Sequence, residues 1–268
     1  MKKFRLDGDT AYVVGGMGLI GKEVSQAIAL AGAKTIVLDV IDGDAQAFVT
    51  TLQDKGCSIT YKHFNASKLK KLDQSFIALL EEFGPPNVFV NCSYPRTANW
   101  GKSSFKDITL ESFQKNVDIH MNSYAWLARL AAEAMVNNKI LGSIVQFGSI
   151  YGIVGQDLTV YEGTDMCENM IYATIKGGIT NLTRLMASYY GQYNIRVNTI
   201  SPGGLAGHTA GKSDSQNSVF VKKYCNKTPL KRLGKPDEIA SVTLFLSSSA
   251  ASYITGATIM VDGGWTAI

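Results

Sequence analysis

Tyr172-Ala173-Thr174-Ile175-Lys176 sets a phenol and an ammonium four residues apart, on one face of any helix that carries them. A nearby cation favours phenolate, so such a pair lowers the tyrosine pKa and lets it exchange protons near neutral pH. By itself Y-x-x-x-K is a common accident. Ser149 gives the pair a context, because it lies just past the strand-like run SIVQF, Ser143–Phe147. Open α/β sheets bind ligands at that carboxyl edge.

A second group sits near the N-terminus. Gly16-Met17-Gly18-Leu19-Ile20-Gly21, preceded by Gly15, fits G-x-G-x-x-G between a strand-like run and a helical one. A turn without Cβ atoms lets a pyrophosphate approach the backbone and rest on the N–H groups, Leu19 and Ile20 among them, that open the helix. Asp39 follows 18 residues beyond Gly21, at the carboxyl end of the next strand. A carboxylate there accepts ribose hydroxyls and repels a 2′-phosphate. No arginine or lysine stands in Val40–Asp44, so the pattern favours NAD over NADP.

These residues need a scaffold of alternating strands and helices. Thr10–Val14, Thr35–Asp39, Ser58–Phe64, Asn87–Asn91, Ser143–Phe147, Ile195–Ile200 and ATIMVDGG read as seven strands. Helices are expected from Leu19 to Ala31 with Gly32 as its C′ residue, and from an N-cap at Ser67 to Gly84-Pro85-Pro86. Others are expected over Thr109–Asn138, over Tyr172–Tyr190, and after Pro236. The stripe Leu69, Leu72, Phe76, Leu79 and Phe83 reads as core. The order predicts one doubly wound, seven-stranded parallel sheet with helices on both faces, a single α/β Rossmann domain over residues 1–268. The polar, glycine-rich stretch Gly203–Thr228 is expected to be a mobile substrate flap.

Composition narrows the classes. With 46% hydrophobic and 18% charged residues the chain is no disordered segment, and 268 residues bury a large core. The net charge of +4 comes without a basic run, so no nucleic-acid partner is expected. Cys57, Cys92, Cys167 and Cys225 are widely spaced, which suits reduced thiols in a cytoplasmic protein rather than disulfides or a metal site. There is neither a signal-peptide pattern nor a long apolar run, so no membrane partner is expected.

Taken together, VVGGMGLIG, Asp39, NVFVNCS, FGSIYG, YATIK, IRVNTISPGG and GATIMVDGGW resemble the classical short-chain dehydrogenase/reductase family over nearly the whole chain. The resemblance implies hydride transfer between a nicotinamide and an alcohol or carbonyl. It implies that Tyr172 is the general acid/base, that Lys176 binds the nicotinamide ribose, and that Ser149 hydrogen-bonds the substrate oxygen. Pro202, Gly203 and Leu205 would lie beside the nicotinamide, Asn65 and Ala66 beside the adenine, and Asn91, Cys92 and Ser93 near the adenosine ribose. It also implies a homo-oligomer, a tetramer or a dimer, with Trp265 packed near the C-terminal strand or at a subunit contact.

Departures from the family pattern carry information. The usual N-N-A-G is Asn91-Cys92-Ser93-Tyr94 here, and the acid usual after strand three is Asn65. The family's active-site asparagine aligns best with His120, with Asn122 and Asn116 nearby. Histidine there would hold a water linked to the lysine, move protons itself, or simply pack. The segment from Ile150 to Ile171 is long and adds Tyr161, Glu162, Asp165 and Glu168 near the site's mouth. With NCSYPR and SPGG, it resembles a narrower branch found with bacterial flagellin-glycan and nonulosonate sugar genes. That branch implies a polar, sugar-like substrate. Arg96 and Lys102 are candidates for a substrate anion, and Tyr94 and Trp100 for its ring face. Two other functions stay open at this point, a nucleotide-binding sensor without turnover and a sugar epimerase or dehydratase.

Overall fold

A computed structural model describes residues 2–207 and 216–268. Seven parallel strands form one sheet in the order β3-β2-β1-β4-β5-β6-β7. They are β1 (Thr10–Val14), β2 (Lys34–Asp39), β3 (Ile59–His63), β4 (Val88–Asn91), β5 (Ser143–Phe147), β6 (Arg196–Pro202) and β7 (Thr258–Val261). The strands are rich in branched residues because both faces are covered. Alternate residues of one strand accordingly enter different cores. Tyr12 and Val14 join Ile36, Leu38 and Phe89 on one face, whereas Ala11 and Val13 join Val88 and Val90 on the other.

Helices α1 (Leu19–Leu30), α2 (Ala45–Gln53), α3 (Leu72–Phe83), α4 (Leu110–Asn116), α5 (Ser123–Asn137), α6 (Met170–Tyr190), α7 (Ser218–Lys227) and α8 (Pro236–Ser247) complete the layers. α3, α5 and α6 bury Leu72, Phe76, Leu127, Met135 and Met186 against one face. α1 and α8 bury Val24, Ile28, Ile239 and Leu246 against the other. The stripe along α3 is core as expected, with Leu69 and Phe83 packed at its edge.

Four expectations change. α2 was unmarked in the sequence, since only Ala45, Val49 and Leu52 are buried on an otherwise polar segment. Ser67 does not cap α3; it donates to Asn65, and a 3-10 turn over Leu69–Lys71 leads into the helix. The long helix before β5 is broken by a π-helical turn, Val117–Asn122, between α4 and α5. The stretch Gly203–Thr228 is not irregular throughout, because Asn217 caps α7 through Val219 and Phe220. Residues 208–215 of that expected flap lie outside the described residues.

Among the described residues no helix is long and apolar enough to cross a membrane. All four cysteines are free thiols, and no group of three metal-ligating side chains is found among the described residues.

Candidate active site

The strand order reverses between β1 and β4, and such a switch point opens a crevice at the carboxyl ends of the strands. A cavity of about 650 Å³ lies there. Its lining runs from Asp39, Asn65 and Ala66 at one end, past Gly15 and Gly18, to Tyr172, Lys176, Pro202, Gly203 and Leu205. Cys92 and Ser93 also line it. One continuous space therefore joins most of the residues singled out by the sequence.

The turn after β1 is built by close backbone approach. Gly15 has φ +73°, and a Cβ there would stand 2.5 Å from the backbone of Ser93. A Cβ on Gly21 would stand 2.0 Å from the carbonyl oxygen of Gly15. Gly18 enters α1 in extended conformation and offers no side-chain cap. The first-turn N–H groups of Leu19 and Ile20 thus have no intrahelical acceptor, and both residues line the cavity. Unpaired N–H groups at a helix start fit a pyrophosphate.

Asp39 ends β2 and is 7% exposed. Its Oδ2 accepts from the Met17 N–H at 2.8 Å, and Oδ1 accepts from Val40 and Ile41 at 2.7 and 3.2 Å. These bonds fix the carboxylate at the cavity wall, and Oδ2 keeps acceptor capacity. The carboxylate can therefore accept a hydroxyl from a nicotinamide dinucleotide lying along the cavity.

Some expected contacts sit one layer back. Asn91 is fully buried, and its side-chain oxygen accepts from the Ser93 N–H and hydroxyl at 3.1 and 2.7 Å. It shapes the loop after β4 and is absent from the cavity lining. Gly16 is likewise behind the lining, with Val37 and Ser25 within 3 Å of where its Cβ would stand. Asn65 lines the cavity, but its side-chain oxygen is engaged by Ser67.

At the other end, α6 is capped by Asn169, which accepts from the Tyr172 N–H at 2.8 Å. The cap starts the helix two residues before Tyr172, so phenol and ammonium project from its first two turns. Lys176 is 3% exposed and donates to the carbonyl of Phe147 at 2.9 Å. Its Nζ lies 5.7 Å from the Tyr172 ring centre, 5.8 Å from that of Tyr94 and 5.1 Å from that of Tyr124. Burial lowers the lysine to about 7, with the Cys92 thiol opposing that shift.

The same burial governs the phenol. Tyr172 is raised above its ordinary value by desolvation, against a hydrogen bond with Ser149 that lowers it. The expected lowering by the lysine is not what the site shows: burial sets the direction, and the group that lowers the phenol is Ser149. Ser149 is buried, and its oxygen accepts from the Tyr151 N–H at 3.2 Å.

Of the three candidates for the family's asparagine, His120 is the one beside Lys176, with Nε2 3.5 Å from Nζ. Asn116 instead binds Thr97 and Ser112, and Asn122 binds Asp118 at the surface. Tyr94 meets His120, Trp100 and Tyr172 edge-on at 5.3, 5.6 and 6.1 Å between ring centres. Tyr124, which the sequence reading missed, donates to the carbonyls of Asn91 and Ser93 and fixes this wall. Its signal was present, since it follows His120 by four residues.

Arg96 lines the cavity with its guanidinium 5.6 Å from the Tyr94 ring centre. Lys102 is exposed and outside the lining. In the long segment before α6, Lys223 reaches Glu162, Lys227 reaches Asp157, and Tyr161 stacks on Phe220 at 5.9 Å. Glu168 accepts from the Phe105 N–H, and Asp165 is exposed. Trp265 stacks on Tyr224 at 4.1 Å, a packing role.

A family model described as enoyl-(acyl carrier protein) reductase matches residues 18–266. Galactitol 2-dehydrogenase of Rhizobium johnstonii is 30% identical, over 99% of this chain and 98% of its own length. Post-translational flagellin modification protein A of Campylobacter coli is 26% identical, over 97% of this chain and 99% of its own. A solved short-chain dehydrogenase from Leptospira borgpetersenii with bound NAD+ superposes with a TM-score of 0.81. It is 28% identical, with 98% of this chain and 94% of that one covered.

Proposed function

Since the chain belongs to the classical short-chain dehydrogenase/reductase family, whose members are nicotinamide-dependent oxidoreductases, we propose that it is an NAD(H)-dependent enzyme. It interconverts a secondary alcohol and a ketone on a sugar or sugar-phosphate-like substrate. The observation that carries this reading is the single cavity holding Asp39 at one end and Tyr172 with Lys176 at the other.

A bound nicotinamide supplies or takes the hydride. Everything else falls to the chain. The N–H groups after Gly18 hold the pyrophosphate, and Asp39 accepts from the ribose and selects NAD. Tyr172 gives its proton to the carbonyl oxygen in reduction and takes it back in oxidation. Ser149 orients that oxygen, and Lys176 holds the nicotinamide ribose beside the phenol. When Lys176 is protonated its charge favours the phenolate, and the Ser149 hydrogen bond works in the same direction against the burial that raises Tyr172.

The sugar-like substrate is supported by relatives named for such chemistry, the galactitol 2-dehydrogenase and a glucose 1-dehydrogenase among them. It is supported too by the Tyr94 ring, which lines the cavity with Trp100 packed edge-on against it and suits the apolar face of a sugar. The flagellin-modification relative and the long segment before α6 favour a role in bacterial surface-glycan assembly. A cytoplasmic homo-oligomer, tetrameric or dimeric, belongs to the same reading. The test is a panel of polyols, sugars and sugar phosphates, galactitol included, offered with NAD and with NADP. Turnover of a polyol or sugar with NAD is expected, and turnover confined to NADP or to apolar alcohols overturns the proposal.

A further inference from the structure

The imidazole of His120 has no part in that reaction scheme, yet it is 0% exposed and its Nδ1 has no hydrogen-bond partner among the described residues. It sits in the π-helical turn Val117–Asn122. An extra residue in a helical turn re-aims the side chains that follow, relative to an uninterrupted α-helix. Here the ring comes to rest between Tyr94 and Tyr124, at 5.3 and 5.4 Å between centres, with Nε2 3.5 Å from Lys176 Nζ. Its backbone carbonyl is already taken by the N–H and hydroxyl of Ser123. The ring, not the main chain, faces the lysine.

Counting donors fixes the tautomer. An ammonium has three N–H donors and no acceptor. One goes to the Phe147 carbonyl at 2.9 Å. A second meets Nε2 of His120 favourably only if that nitrogen carries a lone pair, since Nε2–H would set donor against donor. The one proton of a neutral ring is then on Nδ1. This leaves the third lysine N–H for the cavity that Lys176 lines.

We infer that His120 is a positioning residue for Lys176: a neutral, Nδ1-protonated imidazole that accepts one ammonium N–H and so commits another to the ligand in the cavity. The ring is faced by Lys176 from α6, Tyr124 from α5, and Tyr94 and Trp100 from the loop after β4. No carboxylate among the described residues counters the lysine, and burial with that cation holds the imidazole well below its usual range. His120 therefore stays neutral at physiological pH and carries no proton in turnover. Only the identity of the ligand, a nicotinamide cofactor, rests on the proposed function.

The test has two arms. In protein labelled with 15N at the histidine ring nitrogens, a His120→Gln variant identifies the His120 signals among the chain's three histidines. A protonated Nδ1 and an unprotonated Nε2 are expected in the cofactor-free protein from about pH 5 to about pH 6.5, where Lys176 is an ammonium. An imidazolium or an Nε2–H tautomer overturns the inference. In the second arm NADH is titrated by fluorescence into wild type, His120→Phe and His120→Gln, each checked for folding by circular dichroism. His120→Phe keeps a ring between the tyrosines without an acceptor and should bind NADH about tenfold more weakly. His120→Gln, with a carbonyl near the Nε2 position, should recover most of the loss. Equal affinity of wild type and the Phe variant overturns the inference. Failure of wild type to bind NADH defeats the cofactor reading instead, and the NMR arm still decides the role of His120.

Discussion

The two ends of the cavity are built by different means. At the Asp39 end, backbone does most of the work: Gly15 touches the Ser93 backbone, and three backbone N–H groups orient the carboxylate. At the Tyr172 end, side chains from four segments make the wall. These are the loop after β4 with Tyr94 and Arg96, the π-helical turn with Ile119, α5 with Tyr124, and α6 with Tyr172 and Lys176. A backbone-built end accepts few residue types and binds what the backbone dictates. A side-chain-built end is free to vary, and substrate choice resides there.

Lys176 joins the ends, so its removal should have the broadest effect. Lys176→Met should lower kcat/KM by about 10²-fold or more and weaken NADH binding, read by steady-state kinetics and fluorescence. The same variant reports on stability. Burial holds Lys176 at about 7 in the folded protein, against 10.5 for an ordinary lysine. Between those values the unfolded chain binds more protons than the folded one, so this group makes stability rise with pH across the window. The thermal midpoint of the cofactor-free wild type should gain more than that of Lys176→Met as pH rises from about 7 to about 9. Parallel curves would show that the ammonium is not desolvated.

Asp39→Ser should act at the backbone-built end alone. It removes the charge that repels a 2′-phosphate and should shift the ratio of NAD to NADP efficiency by about 10- to 100-fold, with kcat for NAD nearly kept. An unchanged ratio would mean that cofactor choice is made elsewhere.

The smallest effect is expected where α7 is tied to the segment before α6. Lys223→Ala with Lys227→Ala breaks the links to Glu162 and Asp157. Partly exposed pairs contribute roughly 0–1 kcal/mol, so KM should rise at most about fivefold with kcat unchanged. A collapse of kcat would place α7 in the chemistry itself.

The same contrast explains what was legible in the sequence. Strand runs such as TIVLD, the glycine turn and Asp39 could be read directly, because buried parallel strands and close backbone approach admit few residue types. Tyr172 and Lys176 were legible because four residues of helix set their spacing. What could not be read depended on tertiary packing. α2 buries only Ala45, Val49 and Leu52, too thin a stripe to stand out. The π-helical turn changes helical phase without any proline or glycine to mark it, so the choice between His120, Asn116 and Asn122 stayed open until the ring was seen beside Lys176. The direction of the Tyr172 shift differs from the expectation for a related reason: spacing shows the cation but not the burial that sets the direction.

The central claim is that Tyr172 exchanges the proton that accompanies hydride transfer with NAD(H). Its most direct measurement compares wild type and Tyr172→Phe on the substrate that the panel identifies, with NADH affinity measured in parallel. The variant should bind NADH within about twofold of wild type and lose about 10²–10⁴-fold in kcat. A Phe variant that binds NADH and turns over at the wild-type rate would contradict the account.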